Sequence, residues 1–451
     1  MEDYRPIYHF TAQKGWINDP NGLFVYKNKY HMCFQHNPAS TNWENIHWGH
    51  ATTDDFIKWE QKEDVISPTE DFQCFSGSAV VDYENVSGLK EGEDAPILLF
   101  FTGSPKGQFV SYSTDGGENF KVYGRILPTP CPIDDIEKIR SFPKINDRDP
   151  NVFWCEESGK WAMVLYTVES SRTKGPAYSF YSSEDLLNWE YESEIPLCFE
   201  MPYMLKLPCE EDYKYVLLSA NGDYRVGDFD GHKLIPCQEL NTNQRLFGAV
   251  CGYSWKNEGR VTQVSWLYTG RDYSDKYKNF YTVPVDLSLR KRNGKYELLR
   301  EPVPEINKYK KEFFSLNDCV VMPGENPFPK GMFCPEACEI EVELEYNPFN
   351  IVWFDTGCGK VWYKAPDNSI LYNSDINDLF FNGIPCDLDP KDGVVKYKIF
   401  VDRTSIEIFA DDGYVYMPFA SVWKKQQFGI GTVADPIPLK IRKLKVYEIK
   451  V

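Results

Sequence analysis

The stretch YSSEDLLNW at 181–189 has two counterparts upstream, ATTDDFIKW at 51–59 and YSTDGGENF at 112–120. Each copy opens with small hydroxyl residues, carries an acid at its fourth position (Asp54, Asp115, Glu184) and ends on an aromatic. The copies lie 61 and 69 residues apart. Self-similarity at a fixed spacing marks a repeat architecture in which each period is one supersecondary unit. Between the copies, YHMCFQ (30–35), ILLFFT (97–102) and WAMVLYT (161–167) are aromatic and β-branched runs bounded by Gly, Pro, Asn and Asp, which is the composition of short strands and turns. Four such strands need somewhat more than about 40 residues, so this period fits a roomy propeller blade, and roughly 300 residues hold four to five of them.

The same spacing connects two acidic motifs. Asp19, in WINDPNG (16–22), precedes the first copy by 32 residues, and Asp149, in RDPNVF (148–153), precedes the third by 32. The middle copy, stepped back equally, lands on Val80 at the end of FSGSAV (75–80). Asn, Asp, Pro and Gly are the principal turn formers, so Pro20, Asn21 and Gly22 read as a tight turn. A turn accounts for Pro and Asn in both copies, but not for the acid before each. Equivalent positions of successive blades face one central channel, which brings Asp19 and Asp149 into a shared pocket.

Downstream of about residue 305 the texture changes. EPVPEINKYKKEFFSLND (301–318) is charged and turn-rich. CEIEVELEY (338–346), VVKYKIFVD (394–402) and SIEIFADDGYVYM (405–417) then alternate with period two around DNS and DDG turns, the pattern of antiparallel sheets packed face to face. The chain is therefore expected to be all-β, with a propeller over 1–305, a linker over 306–333 and a β-sandwich over 334–451.

Composition narrows the partners. Asp and Glu outnumber Lys and Arg by 67 to 49, and a net charge of −18 disfavours nucleic acid and anionic membrane surfaces. No apolar run reaches the 18 or so residues of a membrane span. Thirteen cysteines, an odd number, scatter from Cys33 to Cys386, and MEDYRPIYHF at the N-terminus lacks the pattern of a secretory signal, so a cytoplasmic location is expected, or an extracellular one if a signal has been removed. Cys334 and Cys338 have no further Cys or His pair beside them to complete a zinc site, and His31, His36, His47 and His50 are spaced as strand and turn residues, so no metal is expected.

A third acid, Glu200, sits among Phe, Met, Pro and Tyr in CFEMPYML (198–205). Apolar surroundings disfavour a charged carboxylate, which suits a general acid working near neutral pH. One ionised carboxylate paired with one protonated is the working unit of glycoside hydrolysis.

With these residues in view, the chain resembles glycoside hydrolase family 32, the β-fructosidases. WINDPNG, FQHNP (34–38), WGH (48–50), FSGS (75–78), RDP (148–150) and E-M-P (200–202) carry the resemblance in the family order, joined by VGDFDG (226–231), PVDLSL (284–289) and VDRTSIEIF (401–409). The resemblance implies a five-bladed propeller followed by a β-sandwich, no cofactor, and a small carbohydrate substrate such as sucrose or a fructo-oligosaccharide. It implies Asp19 as nucleophile, Glu200 as general acid and base, and Asp149 as transition-state stabiliser, acting with net retention and with the nucleophile and acid carboxyls about 5 to 5.5 Å apart. Asn18, Gln35, Ser76 and Arg148 would supply hydrogen bonds to one fructose, Trp43 and Phe75 apolar walls, and Trp266 a looser match. The chain departs from the family's commonest pattern at Met201 and Tyr203, where many members carry Cys and Asp, which leaves the pH optimum and leaving-group preference open. A fructosyltransferase working through the same intermediate is the alternative enzyme. A catalytically idle carbohydrate-binding or sensor protein is the alternative of another class, and a homodimer through the sandwich is a candidate assembly.

Overall fold

The computed structural model describes residues 4–128, 147–170, 175–196, 199–210, 212–242, 249–254, 259–269, 274–348, 351–355, 361–362, 365–366, 370–373, 378–381, 384–425, 427–432 and 437–451. Their regular structure is almost entirely β-strand, and two compact units separate: Phe10–Glu297, and Met1–His9 together with Leu298–Val451. Among the described residues no helix is long and apolar enough to cross a membrane.

The larger unit is a succession of antiparallel groups. Strands β1 (Gly15–Tyr26), β2 (Lys29–Asn37), β3 (His47–Thr53) and β4 (Glu60–Gln61) form the first sheet in chain order. The second holds β5 (Gln73–Val81), β6 (Ile97–Ser104), β7 (Gly107–Ser113) and β8 (Lys121–Pro128). The third holds β9 (Arg148–Cys155), β10 (Lys160–Ser170), β11 (Gly175–Ser183) and β12 (Glu190–Pro196). A nine-stranded sheet follows. It contains the run β13 (Tyr203–Cys209), β14 (Asp212–Leu218), β15 (Tyr224–Phe229) and β16 (Leu234–Pro236), beside a group with β17 (Ala249–Ser254), β18 (Val261–Leu267), β20 (Phe280–Tyr281) and β21 (Val285–Arg292). The short β19 (Tyr277–Lys278) pairs in parallel with the start of β1. Core clusters form where buried faces of neighbouring sheets meet, as where Val80, Leu98 and Phe100 of the second sheet join Val152 and Met163 of the third.

The nine-residue repeat is the end of the third strand of each of the first three sheets, with the loop that follows. Its acting residues are a hydroxyl and an Asp two positions later: Thr53 and Asp55, Ser113 and Asp115, Ser183 and Asp185. The hydroxyl oxygens accept the N–H of those aspartates, and the carboxylates accept N–H groups further along the loop, from Ile57 and Lys58, from Asn119, and from Leu187 and Asn188. The next residue turns left-handed in every copy, at Phe56 (φ 60), Gly116 (φ 81) and Leu186 (φ 66). The acids expected at the fourth position, Asp54 and Glu184, are exposed; the loop-closing acid is one residue later in copies one and three because the middle copy is offset by one.

The D-P-N-G stretch, expected as a turn, is not one. β1 runs straight through it, with register shifts between Ile17 and Pro20 and between Asn21 and Leu23. A bulge tolerates a proline with no N–H to offer the ladder, and it re-aims the neighbouring side chains. RDPN likewise lies inside β9, which skips register between its pairings with Tyr166 and Val164. The recurrent Asn has a job as well. The Asn21 side-chain oxygen accepts from Gly77 N at 3.4 Å, and that of Asn151 accepts from Met204 N at 2.9 Å, so each fastens its strand to the first strand of the next sheet.

Among the described residues the second unit holds a two-stranded pair, Val361–Trp362 with Ala365–Pro366, and two larger sheets. One, six-stranded, orders as Lys310–Val321, Leu439–Ile449, Cys338–Glu345, Val394–Asp402, Ser405–Ala410 and Val415–Ala420. The other orders as Ile384–Asp387, Asp378–Phe381, Ile370–Asn373, Ile351–Asp355 and Gly429–Thr432. The 306–333 stretch, expected to connect the two halves, contains the strand Lys310–Val321. The DDG turn stands between Ser405–Ala410 and Val415–Ala420, with Asp412 left-handed at φ 54; the DNS turn at 367–369 lies outside the described residues.

In this unit His9 is fully buried between two carboxylates, Nδ1 at 2.8 Å from Asp402 and Nε2 at 2.6 Å from Glu407. Asp402 also accepts the N–H groups of Ile7 and Tyr8, and Tyr416 donates to Glu407 at 2.6 Å. Burial lowers the pKa of His9, but its bonds to Asp402 and Glu407 outweigh that and raise it to about 9. Asp402 and Glu407 are the acids of VDRTSIEIF, so that motif captures the N-terminal segment.

Candidate active site

The first three sheets each place a bulge at the same register position of their first strand. In β1 the residues Asn18 and Asp19 together oppose Gln35. In β5 Phe75 and Ser76 oppose Thr102, and in β9 Asp149 and Pro150 oppose Leu165. The counterpart of the acids in the second sheet is therefore Phe75–Ser76, rather than Val80 as the uniform spacing suggested.

These bulges converge. The Ser76 hydroxyl donates to Asp19 Oδ2 at 2.5 Å, Gln35 Nε2 donates to Ser76 Oγ at 2.5 Å, Asn18 Nδ2 donates to Gln35 Oε1 at 2.7 Å, and the Trp16 indole donates to Asn18 Oδ1 at 2.8 Å. The chain of donors runs one way and ends on the Asp19 carboxylate, which orients it and favours its charged form. Burial works in the other direction. It is the largest influence on Asp19, opposed by the Ser76 bond and reinforced by the charge of Glu200, and the result is a pKa raised to about 6.

Asp149 sits at φ 62, a left-handed conformation that Asp tolerates better than most residues. Its N–H donates to Thr102 Oγ1 at 2.9 Å and its Oδ2 accepts from Met201 N at 3.2 Å. Burial raises its pKa most, Arg148 opposes, and the charges of Glu200 and Asp19 add to the rise, giving about 8. Met201 is left-handed too, at φ 53. Backbone strain of this kind clusters at functional sites.

Arg148 joins the acids. Its guanidinium donates to Glu200 Oε2 at 2.5 Å, stands 3.5 Å from Asp149 Oδ2, and lies over the Tyr166 ring at 4.4 Å from the centroid. Glu200 departs from its expected apolar setting: its side chain is 39% exposed and ion-paired, and Phe199 beside it faces solvent. The apolar residues that follow it, Met201 and Tyr203, instead turn inward. Tyr203 is buried and donates to Gly77 O at 2.9 Å, which aims its hydroxyl at the second sheet.

The apolar candidates lie around this cluster. Trp43 and Phe75 meet at 5.8 Å between ring centroids, with Trp43 41% exposed and Phe75 buried. Trp266 lies edge-on to Trp16 at 6.3 Å, and its indole N–H, buried, has no partner among the described residues. Three residues escaped the sequence reading. Thr102 fixes the Asp149 backbone, Tyr166 supports Arg148, and the buried Tyr281 hydroxyl, unpartnered among the described residues, feels the Asp19 charge. Only Thr102 left a signal, since FFTG (100–103) stands to FSGS as FQHN (34–37) stands to WINDPNG.

Residues 9–302 match the model of the glycosyl hydrolases family 32 N-terminal domain. The chain belongs to glycosyl hydrolase family 32. Its family relatives include the levanase of Bacillus subtilis, 28% identical across the whole of this chain and 71% of that protein. The extracellular exo-inulinase of Aspergillus awamori is 27% identical over 91% of this chain and 88% of its own length, and invertase 2 of Saccharomyces cerevisiae is 35% identical over 50% and 45%. In structure, the Aspergillus awamori exo-inulinase superposes with a TM-score of 0.84 at 22% identity, covering 99% of this chain and 98% of that one. The β-fructofuranosidase of Schwanniomyces occidentalis gives 0.82 at 22%, covering 100% and 98%. These neighbours share the fold.

Proposed function

We propose that this family 32 chain is a retaining exo-β-fructosidase, releasing terminal β-fructofuranosyl units from sucrose or short fructans. One observation carries the mechanism: Asp19, half-buried, and Asp149, buried, feel each other and share Arg148 and Glu200 in one cluster. Asp19, held by Ser76 and ionised above about pH 6, attacks the anomeric carbon of the fructosyl unit. Glu200, exposed to the leaving side, protonates the departing oxygen, then takes a proton from the water that cleaves the fructosyl-enzyme. Asp149 and Arg148 hold hydroxyls of the ring, Asn18 and Gln35 extend that polar wall, and Trp43, Phe75 and Trp266 bound it. The successive antiparallel groups of the larger unit are the blades of a five-bladed propeller, and the two larger sheets of the second unit are a β-sandwich.

The deciding experiment is a panel of sucrose, sucrose-6-phosphate, kestose, inulin and levan, with products separated and the anomer of newly released fructose followed by NMR. Free fructose of retained configuration is expected. Longer oligosaccharides from concentrated sucrose would assign a transferase instead, and inverted fructose would remove Asp19 from the nucleophile role.

A further inference from the structure

Beyond the acids, strands β1, β5 and β9, with β13 and β17, line a cavity of about 450 Å³, from Gly22, Ser78, Asn151, Tyr203 and Gly252 respectively. Its lining begins two to three residues past each acid, about 7 to 10 Å along a strand. The bonds from Gly77 N to Asn21, from Met204 N to Asn151 and from Tyr203 to Gly77 O lie where the acids give way to this lining. None of the three acids lines the cavity.

Its chemistry is specific. Tyr83, Trp154 and Tyr213 line it while 58%, 38% and 49% exposed, and Trp161 packs edge-on against Trp154 at 5.4 Å. Large aromatics left this open in one concave place mark a binding site rather than a core. The charges there are already matched. Lys206 pairs with Glu156 at 2.9 Å and Glu157 at 2.8 Å while lying over the rings of Tyr213 and Tyr215, and Arg260 pairs with Asp286 at 2.7 Å. An ionic ligand would have to break those pairs; a neutral one would not. A neutral ligand that combines flat apolar faces for aromatic rings with edge hydroxyls for the Tyr and Glu oxygens is a saccharide. The volume lies within the ~300–1,000 Å³ range of small-molecule sites.

We infer that this cavity, lined by Trp154, Tyr213 and Tyr83, is a second, non-catalytic binding site for a short neutral saccharide. It holds sugar on a face other than the one that cuts it, and it stands on geometry independent of the proposed mechanism.

The test is calorimetric titration of 1-kestose into Asp19→Asn, and into Asp19→Asn with Trp154→Ala and Tyr213→Ala, with circular dichroism to verify folding. Two sites per chain falling to one are expected, with affinity at the lost site reduced at least tenfold. In the otherwise unaltered chain, Trp154→Ala is expected to leave kcat/KM for sucrose within about twofold. A single site unchanged by the aromatic substitutions overturns the inference, as do two sites in both proteins. A single site that the aromatic substitutions abolish supports it and counts instead against the proposed fructosyl pocket. Should the double substitution fail to fold, Tyr83→Ala carries the same reading.

Discussion

Two clusters of acidic side chains in the molecule are treated oppositely. Around His9, two carboxylates have a cation between them, backbone N–H groups and the Tyr416 hydroxyl on their remaining oxygens. Around Asp19 and Asp149, one arginine is shared by three acids, and burial pushes two of them up to about 6 and about 8. The first arrangement is satisfied and holds an N-terminal segment on its sheet. The second is left short of positive charge, which is the condition in which carboxylates can exchange protons and attack carbon near neutral pH. Burial alone does not separate structure from chemistry; the completeness of pairing does.

The sharpest way to break the contrast is Asp19→Asn. It is expected to lower kcat by about 10⁴-fold or more, while the melting temperature at pH 8 stays level or rises, because a desolvated carboxylate is replaced by a neutral amide. Near-normal turnover in this variant would remove the nucleophile assignment. His9→Leu is expected to do the reverse, costing about 3–5 kcal/mol in urea unfolding because Asp402 and Glu407 are left buried without their cation. A loss within experimental error would show that cluster to be dispensable.

Ser76→Ala tests the link between the donor chain and the proposed nucleophile. Losing a charge-assisted bond worth about 1.5–3 kcal/mol should lower kcat/KM by roughly 10- to 100-fold and move its acidic limb to higher pH, since that bond lowers the Asp19 pKa. The smallest effect is in the pH dependence of the intact protein. The acidic limb of kcat/KM is expected near pH 6, where Asp19 loses its proton. Stability should drift down with alkali in separate windows. Carboxylates raised from 3.8 contribute stability that is full below that value and lost as pH rises through about 6 for Asp19 and about 8 for Asp149, while the His9 contribution is full below 6.5 and lost through about 9. Asp19→Asn should erase the first window and move the upper edge of the second to lower pH, because the Asp19 charge helps raise Asp149, while leaving the His9 window in place.

Much of this was legible in the chain. The strand runs, the acids at equal offsets and the alternating C-terminal segments are local patterns, and local patterns survive in sequence. What was not legible depends on register. A spacing of 32 residues pointed to Val80, whereas strand pairing sets Ser76 at that bulge. D-P-N-G has turn composition, yet neighbouring strands kept it extended, a tertiary context that overrides propensity. Glu200 sits among apolar letters whose side chains turn elsewhere, and Thr102 sits in an otherwise ordinary hydrophobic strand.

The repeated two-for-one bulge has a practical meaning for anyone redesigning the protein. Because Asn18–Asp19, Phe75–Ser76 and Asp149–Pro150 stand outside the ladder register, a side chain there can be exchanged without breaking a ladder pair. Phe75 is the natural place to start a saturation library: it adjoins Ser76, the serine that holds the proposed nucleophile, and it packs against the half-exposed Trp43 without being one of the three acids.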